Sequence, residues 1–130
     1  MKKLFVLCLL LGSFAASASQ DSVLLAMKSM FQEGFYFGMN DDNEACTLQV
    51  QFLSDRAIVT ARSATATVSR VIVDGSGYRF NSGRRELLSS DNAGTFRTLA
   101  VNEVMTYTVT AERMNDGSER AIECITNTVE

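Results

Sequence analysis

The chain reads as an all-β domain: a small antiparallel meander of about eight strands, closed as a barrel or folded as a sandwich, preceded by one short helix and held by one disulfide. Three observations predict this. Apolar and polar residues alternate with period two through most of the chain. Short gaps rich in Gly, Asn and Asp separate the alternating stretches. Two cysteines, Cys46 and Cys124, lie near the two ends of the alternating region.

The first 18 residues have a different character. Lys2 and Lys3 precede a continuous apolar run from Leu4 to Leu11, and Ala16-Ser17-Ala18 follows. That is the pattern of an export leader, with small residues at −3 and −1 of a cut before Ser19. Only four residues separate Cys8 from the lysines and more apolar residues follow it, which is not the placement of a lipid-bearing cysteine. Gly12 and Ser13 interrupt the run well short of the roughly 18 apolar residues a membrane anchor needs. A periplasmic or secreted domain with no membrane insertion is expected, its disulfide formed in an oxidising compartment.

Residues 19–34 are expected to form a short amphipathic helix packing on the sheet. Ser22 is placed to cap it, Val23, Leu24, Met27, Met30 and Phe31 recur at three- and four-residue spacing, and Gly34 is positioned as its C′ residue. The polar face carries Lys28, Gln32 and Glu33, unlike the cationic face of a membrane-surface helix.

Residues 35–130 carry the β-domain. In Cys46-Thr47-Leu48-Gln49-Val50-Gln51-Phe52 the cysteine and three apolar residues share one face. The same texture covers Phe35 to Met39, Ala57 to Ser63, Thr65 to Val73, Tyr78 to Asn81, Glu86 to Leu88, Thr95 to Val101, Val104 to Arg113 and Arg120 to Val129. Loops of two to five residues join antiparallel neighbours, whereas parallel strands need crossovers of a dozen residues or more. Closing the sheet would hide its two edges. The interior is expected to hold Phe35, Phe37, Leu48, Val50, Phe52, Val71, Val73, Leu87, Phe96, Leu99, Tyr107, Val109 and Ile122. A bond between Cys46 and Cys124 would then join the two ends of the sheet, as a structural staple rather than a redox pair, since no C-x-x-C spacing occurs.

Composition removes whole classes of chemistry. The chain has no His, Trp or Pro, so Ser/His/Asp and Cys/His catalysis and histidine metal sites are excluded. No enzyme activity, cofactor or metal is expected. Asp41, Asp42 and Glu44 form the densest acidic cluster, but their spacing matches no EF-hand and Asp is a turn residue in its own right. Without Lys2 and Lys3 the 12 basic residues fall to ten against 15 acids, a formal charge of −5. Nucleic acid is therefore not an expected partner.

The stretch from Cys46 to Leu88, with its Asp74-Gly75-Ser76-Gly77-Tyr78 turn and the Ser82-Gly83 turn after it, resembles periplasmic lysozyme inhibitors of the small β-barrel type. Those proteins are exported, disulfide-stapled barrels that insert a Ser-Gly-x-x-Tyr loop into the lysozyme cleft, and the resemblance implies that Ser76 and Tyr78 carry the contact. Here the tyrosine follows the glycine directly, the family's downstream tryptophan and Lys-Gly segment are absent, and 42 residues follow Leu88.

Independently of that resemblance, Arg79, Arg84 and Arg85 form a local basic patch on an acidic chain, a place for an anionic partner to dock. The functional expectation is an exported domain that binds a protein or envelope component through its loops, with Ser76, Tyr78, Arg79, Arg84 and Arg85 as contact residues. The alternative is a carrier with a small apolar ligand inside, but thirteen large side chains suffice to fill a barrel of eight strands.

Overall fold

The computed structural model describes residues 22–74 and 77–127. The expected leader, residues 1–18, and Ser76 lie outside the described residues. Among the described residues one helix, α1 (Val23–Met30), is followed by nine strands: β1 (Gly34–Met39), β2 (Ala45–Phe52), β3 (Arg56–Arg62), β4 (Thr67–Val73), β5 (Gly77–Asn81), β6 (Glu86–Asp91), β7 (Gly94–Ala100), β8 (Met105–Arg113) and β9 (Glu119–Asn127). Each expected strand is present within a few residues. No helix among the described residues is long and apolar enough to cross a membrane.

Ser22 caps α1 as expected, its hydroxyl accepting from the Leu25 N–H at 3.1 Å. Val23, Ala26, Met27 and Met30 are buried. Gly34 is not the C′ residue. The helix stops at Met30 because Phe31 turns extended, its N–H still bonded to the Met27 carbonyl at 2.9 Å, and Gly34 opens β1 instead.

All nine strands form one antiparallel sheet in the order β4-β3-β2-β1-β9-β8-β7-β6-β5. Every short loop joins neighbours except the one after β4. Residues 74–76 link β4 to β5, which stand at opposite ends of the sheet with no ladder between them among the described residues. The closed barrel of about eight strands is thus corrected to a nine-stranded curled sheet, open at one seam. The curl brings β4 across the inner face onto β8. The helix α1 packs on β4 and β5 and on their neighbours β3 and β6, covering that seam. Asp74 pins the linking loop to the helix: its carboxylate accepts from the Ser22 hydroxyl and the Leu24 N–H, each at 3.2 Å, at the end where the helix dipole favours negative charge.

Cys46 and Cys124 are bonded, with Cα atoms 5.9 Å apart. The bond does not join the sheet ends. It links β2 to β9 across β1, beside Gly38, which pairs with Cys46 on one side and Thr126 on the other. Among the described residues two pairs, Gly38↔Thr126 and Met39↔Ile125, join β1 to β9, so the disulfide staples the two halves of the sheet where the described pairing is shortest. A second clasp lies across the curl. Arg70, on the inner side of β4 with its side chain 11% exposed, reaches Asp91 at the β6–β7 turn at 2.6 Å.

The core consists of Val23, Met27, Met30 and Phe31 from the helix region with Tyr36, Leu48, Val50, Val59, Val68, Ile72, Leu87, Phe96 and Ile122 from the sheet, together with alanines of α1 and β3. Five of the thirteen expected interior residues are buried there: Leu48, Val50, Leu87, Phe96 and Ile122. Phe52 packs at its margin, half-buried. Phe35, Phe37 and Val71 are exposed, and Leu99, Tyr107 and Val109 stand half-buried on the outer face. The disulfide explains this inversion. Cys124 must face inward to reach Cys46, and Thr108 lies directly opposite Cys124, so the inner face of β8 carries Thr106, Thr108 and Thr110. Tyr107 and Val109 are thereby turned outward. Pairing of Gly38 with Cys46 likewise points Tyr36 in and Phe35, Phe37 and Met39 out.

Candidate functional site

An apolar row crosses the outer face of four strands. Leu99 on β7 pairs with Tyr107 on β8, Tyr107 with Ile125 on β9, and Ile125 with Met39 on β1. Phe35 and Phe37 extend it along β1, and Val101 and Val104 flank it in the loop before β8. Phe37 is 70% exposed, Val104 63%, Phe35 57%, Val101 52% and Met39 47%. Those five are most of the eight large hydrophobics exposed in the described chain, and they share one region. A contiguous apolar patch on a small domain marks an interaction surface more often than scattered exposed residues do.

Acidic groups border this face. Glu123 accepts the Tyr107 hydroxyl at 2.9 Å. Burial, then that hydrogen bond and the charges of Glu123 and Asp41, hold the Tyr107 hydroxyl above its ordinary pKa, against the pull of Arg97. Glu33 shares a groove of about 350 Å³ with Phe35, Phe37 and Asn127. Asp41, Asp42 and Glu44 follow Met39 in a turn organised by Asn40, whose side-chain oxygen accepts from the Asp42 and Glu44 N–H groups at 2.9 Å each. The Asn40 side-chain amide in turn donates to the Glu44 carboxylate at 3.0 Å. Among the described residues no group of three or more His, Cys, Asp or Glu is placed to hold a metal ion.

The sequence-predicted contact residues fall in three places. Arg79 and Arg84 meet Arg97, Glu86 and Leu88 around a groove of about 680 Å³ on the outer side of β5–β7. Glu86 sits among the cations, 3.6 Å from Arg84 and 3.5 Å from Arg97. Arg85 is separated from them: it takes a left-handed backbone conformation, φ 50°, and lines a different groove of about 540 Å³ with Lys28, Gln32 and Phe80. Tyr78 is half-buried, packs against the core and shares a shallow groove with Arg79. Ser76 lies outside the described residues.

Sequence reasoning assigned Phe35, Phe37, Leu99 and Tyr107 to the interior and so missed the apolar face. One signal was available in Phe35-Tyr36-Phe37: in a strand, three consecutive aromatics cannot all point inward. Set against protein-family models, curated proteins and solved structures, the chain matches none, so its function is argued from this surface alone.

Proposed function

We propose that this is a non-catalytic, exported binding domain that docks a protein partner through the outer face of β7, β8, β9 and β1. The observation that carries the reading is the row Leu99–Tyr107–Ile125–Met39 with Phe37 beside it: large side chains held outward by a rigid, disulfide-stapled sheet. Exposing these groups costs solvation free energy that a partner would recover, on the order of 25 cal/mol per Å² covered. The Arg79–Arg84 hairpin borders the same curved surface and supplies a polar margin. Carriage of an apolar ligand inside has less support, because the buried cluster packs side chains from both limbs of the sheet against α1.

The test is site-specific photo-crosslinking in the producing cell. A photoreactive residue at Phe37 is expected to give a discrete protein adduct, and the same residue at Val71, exposed on β4, is expected to give none. The adduct should vanish in a Met39→Ser, Val104→Ser background whose melting temperature stays within about 3 °C of the parent, since exposed side chains contribute little to the core. Equal adducts from both positions, or none from Phe37, would reject the reading.

A further inference from the structure

The chemistry of the partner follows from the border of the apolar face. Glu33, Glu103, Asp41, Asp42, Glu44 and Glu123 come from the turn before β1, the loop before β8, the turn after β1 and the outer side of β9. Among the described residues, the cations on this side are Arg62, reached from Phe37 through Thr47, and Arg79, Arg84 and Arg97 at the β5–β7 margin, where Arg84 and Arg97 lie 3.6 and 3.5 Å from a further carboxylate, Glu86. The apolar centre is therefore ringed by an excess of negative charge on a chain whose expected mature form carries −5. A second copy packed face to face would bring these carboxylates against one another, and an anionic membrane surface would meet the same repulsion.

Spacing narrows the partner further. The row crosses four strands, and strands lie about 4.8 Å apart, so it spans roughly 14 Å with one large side chain per strand. An α-helix rises about 5.4 Å per turn and repeats an apolar side chain at each turn on one face, so about three turns lie along the row nearly in step with it.

Resting on the proposed docking face, we propose that its occupant is a cationic amphipathic helix of another protein. Its apolar stripe lies across Leu99, Tyr107, Ile125 and Met39, and its Lys and Arg residues meet Glu123, Asp41 and Glu103. Ion pairs at such a rim set partner choice and salt dependence while the apolar stripe supplies the affinity.

Calorimetry on the mature domain decides this with designed peptides of about 18 residues, long enough to form a helix of several turns on binding. One peptide is a Leu/Lys amphipathic helix; the second replaces each Lys by Glu; the third scrambles the Leu/Lys sequence. The Leu/Lys helix is expected to bind at least about tenfold more tightly than either control, and to weaken about tenfold or more when salt rises from about 50 to 500 mM. The triple variant Asp41→Asn, Glu103→Gln, Glu123→Gln is expected to lose that preference while keeping its circular dichroism and melting temperature, and Phe37→Ser to lose binding of every peptide. Equal binding of the Lys and Glu helices, lost in Phe37→Ser, would overturn the cationic partner and leave the docking face standing. Two further results would overturn the proposal: a dimer in sedimentation that Phe37→Ser abolishes, or tighter binding to phosphatidylglycerol vesicles than to the Leu/Lys helix. Failure of all three peptides to bind would overturn it as well, and the crosslink from Phe37 would then judge the docking face separately.

Discussion

Thr110 and Thr126 are buried on the inner face with hydroxyls that meet no hydrogen-bond partner among the described residues, whereas Thr98 and Thr108 satisfy one another at 3.3 Å. A buried hydroxyl without a partner retains its desolvation cost and returns nothing. Thr110→Val, which keeps the branched shape and removes the orphaned group, is therefore expected to raise unfolding stability by about 1 kcal/mol in urea titration. Thr108→Val, which strands Thr98, is expected to lower it. Inward threonines were not legible in Met105-Thr106-Tyr107-Thr108-Val109-Thr110, because hydrophobic alternation there points the opposite way. What overrides it is one cross-strand pair: Thr108 stands opposite Cys124, and Cys124 is committed to Cys46. Side chains opposite one another share a face, so a single covalent bond sets which way β8 turns.

At the scale of elements, the decisive junction is β1 against β9, where, among the described residues, two residue pairs hold together sheet halves whose other neighbouring strands share five to nine pairs each. Gly38 sits at that junction. A Cβ there would fall on the Ile125 carbonyl of β9, with the Thr126 side chain 3.0 Å away. Gly38→Ala is accordingly expected to push β1 off β9 and cost about 2–3 kcal/mol, measured by chemical denaturation, while Gly83→Ala, where the nearest atom is 3.5 Å off, serves as a near-neutral control. Strand positions and turns were legible because they depend on local preferences: β-branched and aromatic runs, and Asn, Asp or Gly where the chain reverses. The stretch after β4 was legible only as a turn. Its few residues require that the end of β4 and the start of β5 be close, a condition met equally by a hairpin and by the two lips of a curled sheet.

On the scale of the molecule, two meanders, β1–β4 and β5–β9, are held together by the short β1–β9 pairing, the Cys46–Cys124 bond, the Arg70–Asp91 clasp and the helix laid over the seam. With the cysteines 78 positions apart in the chain, the chain-entropy model assigns the bond roughly 4.5 kcal/mol, a large share of a small domain's stability. Reduction is expected to lower the melting temperature by more than about 10 °C, and thiol titration of the denatured, unreduced mature protein to find no free cysteine. Two free thiols would remove the staple and the face assignment that rests on it. From the sequence by itself came the all-β class, the strand positions, the Ser22-capped helix and the disulfide, because each depends on neighbouring residues or on pairing the two cysteines that lie outside the expected leader. Tertiary structure alone decided which side chains face out and whether the sheet closes. Both depend on partners distant in the chain: Cys124 opposite Thr108, Gly38 opposite Cys46, and α1 lying where β4 and β5 would otherwise meet. Period-two alternation names two faces of a strand equally well, and only the long-range pairing says which of them meets water.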